Sequence, residues 1–493
     1  MKIGFDNEKY LAIQKKEILD RISHFGDKLY IEFGGKLFDD YHASRVLPGF
    51  RPDSKLSLLL SLKDKAEIII VINSEDIMSH KTRGDLGITY DVEVQRLIIS
   101  YQRAKLPIAG VVFSFMQKNK AITAFMRKLK NMGINVYKQY AIEGYPYDVN
   151  KVCSESGFGI NDYIPTSKPI VVVTAPGPGS GKLACCMSQL YHDSKRGIKS
   201  GYAKYETFPV WNLGLCHPVN LAYEAATVDL KDIIMEDPYH LEAYGKHATN
   251  YNRDIAAFPL VNALLKHMNG NCPYKSPTDM GVNMVGFAIS NEKVVEEACK
   301  KEVVRRYYST SKDLLNGKVE IESIEKIKEL MSKLNTSIED RKCVKPALNK
   351  AEKTGMPSVA IELTNGKIIT GKRSDLLTST SAMLLNALKY LAGIPNNELL
   401  LQREVIIPIQ ELKVNDLHNV NPKIHGEEIL IGLAIQATSN ENAKKALSHL
   451  HELNGCEAHS SCILSVNDYK TLSKLGIQIT EEPTNYIYKV SLN

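Results

Sequence analysis

The stretch IVVVTAPGPGSGKLACCMSQL, residues 170–190, constrains the fold more than any other part of the chain. It opens with five β-branched residues in succession. So continuous an apolar run suits a strand covered on both faces, the usual condition of a parallel sheet. Gly177, Gly179 and Gly181 then give the backbone freedom to turn tightly, and a helical-period segment begins at Lys182. Strand, glycine turn and helix in this order make an anion nest: backbone N–H groups converge, and the helix N-terminus adds partial positive charge. Lys182 would reach the terminal phosphates. The match to G-x-x-x-x-G-K-[ST] is incomplete. Pro176 occupies the first glycine position, and Leu183 stands where a hydroxyl for Mg²⁺ belongs, leaving Ser180 or Thr174 to substitute. The same residues also suit a plain turn whose glycines allow close packing.

The surrounding sequence extends the α/β pattern. Short apolar runs at 29–33, 66–72, 108–113, 134–137, 169–174 and 199–205 alternate with helical-period stretches at 55–62, 91–104, 120–132 and 182–194. That alternation predicts βαβ units in a mostly parallel, Rossmann-like or P-loop-like sheet domain over residues 1–211. Residues 212–290 are irregular and rich in Pro, His, Tyr and Asn, as in a cap or connecting segment. Residues 291–355 read as a charged helical subdomain, and 356–493 as a smaller carboxyl-terminal α/β subdomain. The last opens with a hairpin around Asn365-Gly366. Strands are expected there at 403–407, 429–434, 461–466 and 486–490, with helices at 379–391, 442–453 and 468–475.

Ligands of open parallel sheets bind beyond the carboxyl ends of the strands. The loops that follow these strands carry Lys36, His42, Ser44 and Arg45, then Lys81 and Arg83, then the glycine turn, then Glu206. The cations point to an anionic ligand, since Lys and Arg grip phosphate and carboxylate. Gly177, Gly179, Ser180, Gly181 and Lys182 are the candidate phosphate cradle. Lys36, Ser44, Arg45, Lys81 and Arg83 are candidates to hold a second anionic group. His42, with its pKa near neutrality, is the candidate for proton transfer, and Glu206 for a catalytic carboxylate. Glu206 or Asp229 would hold Mg²⁺. Polar loops also face water for no further reason, so the group, and no one member, points to a site.

Net charge is +6 with 24% charged residues and no long run of one sign, which argues against a nucleic-acid arm. No stretch approaches about 18 apolar residues, and the amino terminus lacks a signal-peptide core, so membrane insertion and secretion are not expected. Nine scattered cysteines without CxxC fit reduced thiols in a cytoplasmic protein. CEAHSSC, residues 456–462, runs into an expected strand, where alternating faces keep its thiols and imidazole from converging on a metal. The charged helical subdomain leaves room for self-association.

The phrases FGGKLFDDYHASRVLPGF, VVVTAPGPGSGKLA, SGYAKYETFPVWNLGLCHPVNLAYEAATVDL and GCEAHSS together resemble the bacterial uncharacterised protein family 0371, or domain of unknown function 1846. The resemblance covers essentially the full chain. It implies a nucleotide-triphosphatase-like or Rossmann-like first domain, a helical insert and a carboxyl-terminal subdomain of deaminase-like topology. Zinc deaminases need HxE or CxE at one helix start and PCxxC at the next. The helix expected at Ser379-Thr380-Ser381 lacks the first, and no PCxxC follows, so no zinc-activated water is expected.

The residues thus predict an enzyme that binds a nucleotide or phosphorylated metabolite for phosphoryl or nucleotidyl transfer, with a nucleoside triphosphate and Mg²⁺ as the cofactor in view. The alternatives are a non-catalytic anion or nucleotide sensor and a metal-free sugar-phosphate enzyme.

Overall fold

A computed structural model describes residues 3–34, 38, 40–83, 87–230 and 233–485. The chain divides into two compact units, Lys2–Cys299 and Lys300–Asn493.

The first unit is built on a six-stranded sheet. Its strands are β1 (Lys28–Phe33), β2 (Ala66–Asn73), β3 (Ile108–Ser114), β4 (Val136–Lys138), β5 (Ile170–Thr174) and β6 (Ser200–Tyr205). Their order is β4-β3-β2-β5-β1-β6, with every pair parallel. Period-two alternation splits the strand residues between two cores. Leu29, Ile31, Ile68, Ile70 and Val111 pack with residues of helices α1 (Asn7–Phe25), α2 (Ser54–Ser61), α3 (Tyr90–Arg103) and α4 (Lys120–Asn131). Tyr30, Ile69, Val112, Val171 and Val173 face the other way, onto α5 (Lys182–Lys195) and α6 (Asn252–Asn269). Burial on both faces explains the continuous apolarity of IIIVI and IVVVT.

The strand order fixes where a ligand would sit. The connection from β2 runs outward to β3, while that from β5 runs the opposite way, over β1, to β6. Connections that diverge from neighbouring strands open a crevice at their carboxyl ends, so β2 and β5 flank the switch point.

The second unit carries a smaller mixed sheet of β7 (Ser358–Glu362), β8 (Ile368–Lys372), β9 (Glu457–Ser460) and β10 (Gln478–Glu481), in the order β8-β7-β9-β10. β7 is antiparallel to both its neighbours, whereas β9 and β10 are parallel. Helices α7 (Glu292–Leu315), α8 (Ile321–Lys333) and α9 (Val344–Thr354) precede the sheet, and α10 (Ser379–Leu391) follows its hairpin.

Two expected strands are helices: α11 (Arg403–Glu411) and α12 (Gly426–Gln436). A short apolar run does not by itself separate strand from buried helix. In α12 the buried residues Ile429, Gly432, Leu433 and Gln436 fall at helical spacing, and Glu428 Oε2 accepts the His425 backbone N–H at 2.8 Å at its start. The strand expected at 461–466 lies earlier, at Glu457–Ser460, and the helix expected at 442–453 breaks into Glu441–Ser448 and a 3₁₀ turn, Leu450–Leu453. The strand expected at 486–490 lies outside the described residues. Among the described residues no helix is long and apolar enough to cross a membrane.

Candidate functional site

The glycine turn sits at the switch point. β5 ends at Thr174, and α5 begins at Lys182 with Gly181 as its N-cap and no side chain capping it. Gly181 (φ +87°) and Gly179 (φ +74°) are left-handed, a conformation that costs a residue with a Cβ roughly 1–2 kcal/mol. A Cβ at Gly177 would fall 2.1 Å from the Tyr90 hydroxyl oxygen, so this glycine is required by close packing. Neighbouring strands brace the loop. Ser114, at the end of β3, donates its hydroxyl to the Ser180 carbonyl at 2.7 Å. Asn73, at the end of β2, donates to the Gly179 carbonyl at 3.4 Å. Ser180 is itself buried and donates its hydroxyl to the Gly177 carbonyl at 2.5 Å, so that proton is spent inside the loop.

A charged ladder rises beside the loop. Tyr30, Glu32 and Gly34 share one face of the β1 line, and Tyr202, Lys204 and Glu206 share the same face along β6, because residues two apart point alike. The Tyr202 hydroxyl donates to Glu32 Oε2 at 2.8 Å. Lys204 Nζ lies 2.6 Å from both oxygens of Asp254 and 3.2 Å from Glu206 Oε1. Arg253, next to Asp254 in the first turn of α6, lies 3.5 Å from Glu206 Oε1. Lys182 Nζ reaches Glu32 Oε1 at 3.8 Å. A Cβ at Gly34 would come within 2.2 Å of Glu206 Cγ, so a larger residue there would displace the Glu206 side chain.

Burial sets the electrostatics. It opposes the Lys204 charge, but Asp254 and then Glu206 outweigh it and raise the ammonium pKa. Burial likewise opposes ionisation of Glu206, yet Lys204 and Arg253 bring its pKa below the ordinary value. Asp254 goes the other way: burial pushes its carboxyl up against the pull of Lys204, with the Glu206 charge adding to the rise. Two carboxylates that share one lysine are thereby shifted in opposite directions.

The other expected residues are distributed more widely. His42 lies on the short helix Tyr41–Val46, its ring 5.1 Å from that of Tyr223 and 6.2 Å from that of Phe208. Ser44 donates to the Tyr41 carbonyl on the same helix, and Arg45 is half-buried there. Lys81 pairs with Asp76 at 3.0 Å and lies over the Tyr90 ring that packs on Gly177. Arg83 pairs with Glu93, which is fully buried and also held by Arg96 at 2.8 Å. Asp229 is exposed on the 3₁₀ turn Val228–Leu230, and Lys36 lies outside the described residues. Among the described residues no three His, Cys, Asp or Glu side chains converge as a metal cage.

The structure therefore brings together Lys182, Glu206 and the glycine loop, and adds Glu32, Lys204, Arg253 and Asp254, which are not among the residues expected from sequence. A signal for part of this was present. KLYIEF holds one carboxylate in an otherwise apolar strand end, and Tyr202, Lys204 and Glu206 repeat at a spacing of two. Arg253 and Asp254 join from a helix distant in sequence, which no local pattern announces.

Residues 3–335 match the amino-terminal domain of unknown function DUF1846, and residues 339–489 match its carboxyl-terminal counterpart. The chain belongs to the UPF0371 family. It is 52% identical over 488 residues to a UPF0371 protein of Streptococcus pyogenes serotype M5, covering 99% of each chain. UPF0371 proteins of Streptococcus thermophilus and Streptococcus uberis are each 52% identical over 482 residues, with 98% of each chain covered. The two UPF0371 stretches meet between residues 335 and 339, after α8, whereas the compact units divide within α7. The glycine loop and the whole charged ladder lie inside the amino-terminal stretch.

Proposed function

We propose that this UPF0371 protein binds a phosphorylated small molecule, a nucleotide first among the candidates, and transfers its phosphoryl or nucleotidyl group. The observation that supports the reading is the loop itself. Two left-handed glycines lead into a helix start that no side chain caps, beside Lys182, where the strand connections diverge. Phosphate on the loop would accept backbone N–H groups and meet the positive end of α5. In this reading Glu206 is the carboxylate nearest the chemistry, and His42 supplies or takes a proton. Lys81, Arg83, Arg45, Ser44 and Lys36 bear on a second anionic group. Lys81 is foremost among them, because Arg83 already serves the buried Glu93. Mg²⁺ accompanies the ligand and is held mostly by its phosphates, with Glu206 or Asp229 as the protein's contribution. The nine free thiols agree with a cytoplasmic setting for such a metabolite.

Calorimetry with ATP, GTP and sugar phosphates, with and without Mg²⁺, tests the reading. Lys182→Ala should weaken phosphate binding roughly 10- to 100-fold, the value of one charge-assisted hydrogen bond. Unaltered affinity in that variant would sink the reading. Binding of sugar phosphates but no nucleotide would redirect it to sugar-phosphate chemistry. A non-catalytic anion sensor is the second reading, and Leu183 favours it by leaving no hydroxyl after the lysine to fix Mg²⁺ for transfer. Turnover of ATP or GTP that disappears in Lys182→Ala would reject the sensor.

A further inference from the structure

Lys182 has an internal counter-ion. Glu32 stands near the carboxyl end of β1 with 9% of its surface exposed. One of its oxygens accepts the Tyr202 hydroxyl at 2.8 Å, and the other lies 3.8 Å from Lys182 Nζ. Tyr202 is fully buried. Burial, and after it the Glu32 charge, drive the Tyr202 phenol pKa well up, so it remains a donor and holds the carboxylate in place. The Lys182–Glu32 separation exceeds hydrogen-bonding range. The ammonium is attracted to the carboxylate without being locked to it.

Charge balance gives this contact a consequence. Lys182, Lys204 and Arg253 match Glu32, Glu206 and Asp254 one for one in the ladder. A phosphate arriving on the loop adds about 1.5–2 negative charges near pH 7 to a set that is already neutral. It also finds its lysine engaged. Glu206 is not the competitor, because Lys204 and Arg253 serve it at 3.2 and 3.5 Å.

Resting on the phosphate reading above, we propose that Glu32 is a specificity-determining counter-ion, which a ligand must displace from Lys182. A small anion such as inorganic phosphate gains too little from the loop to do so. A ligand with several phosphates gains contacts along the whole nest and takes the lysine over. Tyr202 is the positioning residue that keeps Glu32 from following the ammonium.

The test compares wild type, Glu32→Gln and Tyr202→Phe by calorimetry with ATP, AMP and inorganic phosphate at low salt, with Lys182→Ala as reference. Glutamine keeps the volume and an acceptor for Tyr202 while removing the charge. Glu32→Gln should bind ATP about tenfold tighter than wild type, because a nearby like charge is gone. The gain should be at least as large for AMP, and inorganic phosphate should become detectable, so that the preference for ATP over small anions narrows. A merely structural role for Glu32 would lower affinity for every ligand alike and leave the preference for ATP over AMP unchanged. Tyr202→Phe should shift ATP affinity the opposite way, several-fold weaker, because the released carboxylate closes on Lys182. That variant decides the matter if Glu32→Gln does not fold. Equal or weaker ATP binding by Glu32→Gln, with Lys182→Ala still losing affinity, overturns the counter-ion role and leaves the phosphate reading standing. No binding of any ligand by folded wild type and folded Glu32→Gln overturns both.

Discussion

Both units bury charge, and they do so in different company. In the first, Lys182 and Lys204, with the exposed Arg253 at the rim, meet Glu32, Glu206 and Asp254 almost wholly through side-chain pairs at the open ends of strands, beside a glycine loop. In the second, Arg341 is 5% exposed, pairs with Glu457 and donates to the backbone carbonyls of Ala458 and Gln478. It thereby fastens β9 to β10. His459 is equally enclosed, contacting Thr480 Oγ1 at 2.8 Å and Glu482 Oε1 at 3.2 Å. A charge tied to backbone has nowhere else to go, because the carbonyls it serves cannot move without the sheet. A charge shared among side chains can change partners when a ligand arrives. Burial of charge alone does not mark a site; burial among exchangeable partners, next to an anion nest, is the stronger sign.

The sharpest way to break this distinction is Arg341→Met. Methionine fills much of the volume but leaves the Glu457 carboxylate and two carbonyls without their donor. Removing one partner of a buried ion pair costs about 3–5 kcal/mol. Urea unfolding followed by hydrogen exchange should place the loss in residues 457–481, with ATP affinity unchanged. A loss below about 1 kcal/mol, the range of exposed pairs, would mean that Arg341 is no more a fastener than a surface arginine.

Two glycines sharpen the comparison at smaller cost. Gly181 (φ +87°) and Gly366 (φ +80°) hold the same left-handed backbone, one in the glycine loop and one in the β7–β8 turn. Alanine at either should cost roughly 1–2 kcal/mol from backbone strain. At Gly181 the new Cβ also lies 3.1 Å from Ser114 Cβ, so the loop must shift. At Gly366 nothing lies within 4 Å. Gly181→Ala should therefore lower ATP affinity tenfold or more, about 1.4 kcal/mol, while Gly366→Ala leaves it untouched and lowers only the thermal midpoint. Equal effects on affinity would show that the loop is a packing turn and nothing else.

The parallel sheet was legible because strands buried on both faces must be apolar throughout, and 66–72 and 170–174 say so directly. The loop was legible because glycine, lysine and helix start are adjacent in sequence. The carboxyl-terminal helices misled because ILIGLAIQ is apolar enough to suit either element, and only burial at 429, 432, 433 and 436 reveals the helical period. The ladder was half hidden for a different reason. Glu32 and Lys204 are 172 residues apart yet side by side in register, and α6 brings Asp254 to them from a third segment. Such convergence is a property of strand order, which no single stretch of sequence encodes.

The smallest predicted effect is a pH slope. Burial lowers the pKa of His459 below its ordinary 6.5, outweighing the opposing pull of Glu482. The unfolded chain therefore takes up a proton at a pH where the folded one does not. Stability from this group is fully present above about pH 6.5 and is lost as pH falls from there towards the folded value. Glu206 has a pKa lowered from 4.5, so its contribution persists to lower pH and fades only below that point. Acid should thus loosen the strand pair β9–β10 before it disturbs the ladder. Hydrogen-exchange protection of residues 457–481, taken relative to the intrinsic rate at each pH, should fall between pH 7 and 5.5 in wild type, and His459→Gln should flatten that dependence. Buried His192, whose pKa burial also lowers, acts in the same window within the first unit, so the readout must be local and not a single unfolding midpoint. An unchanged slope in His459→Gln would show that the imidazole is released to solvent before it is protonated. That would make the second unit's enclosed histidine as free to change partners as is proposed for Lys182 in the first.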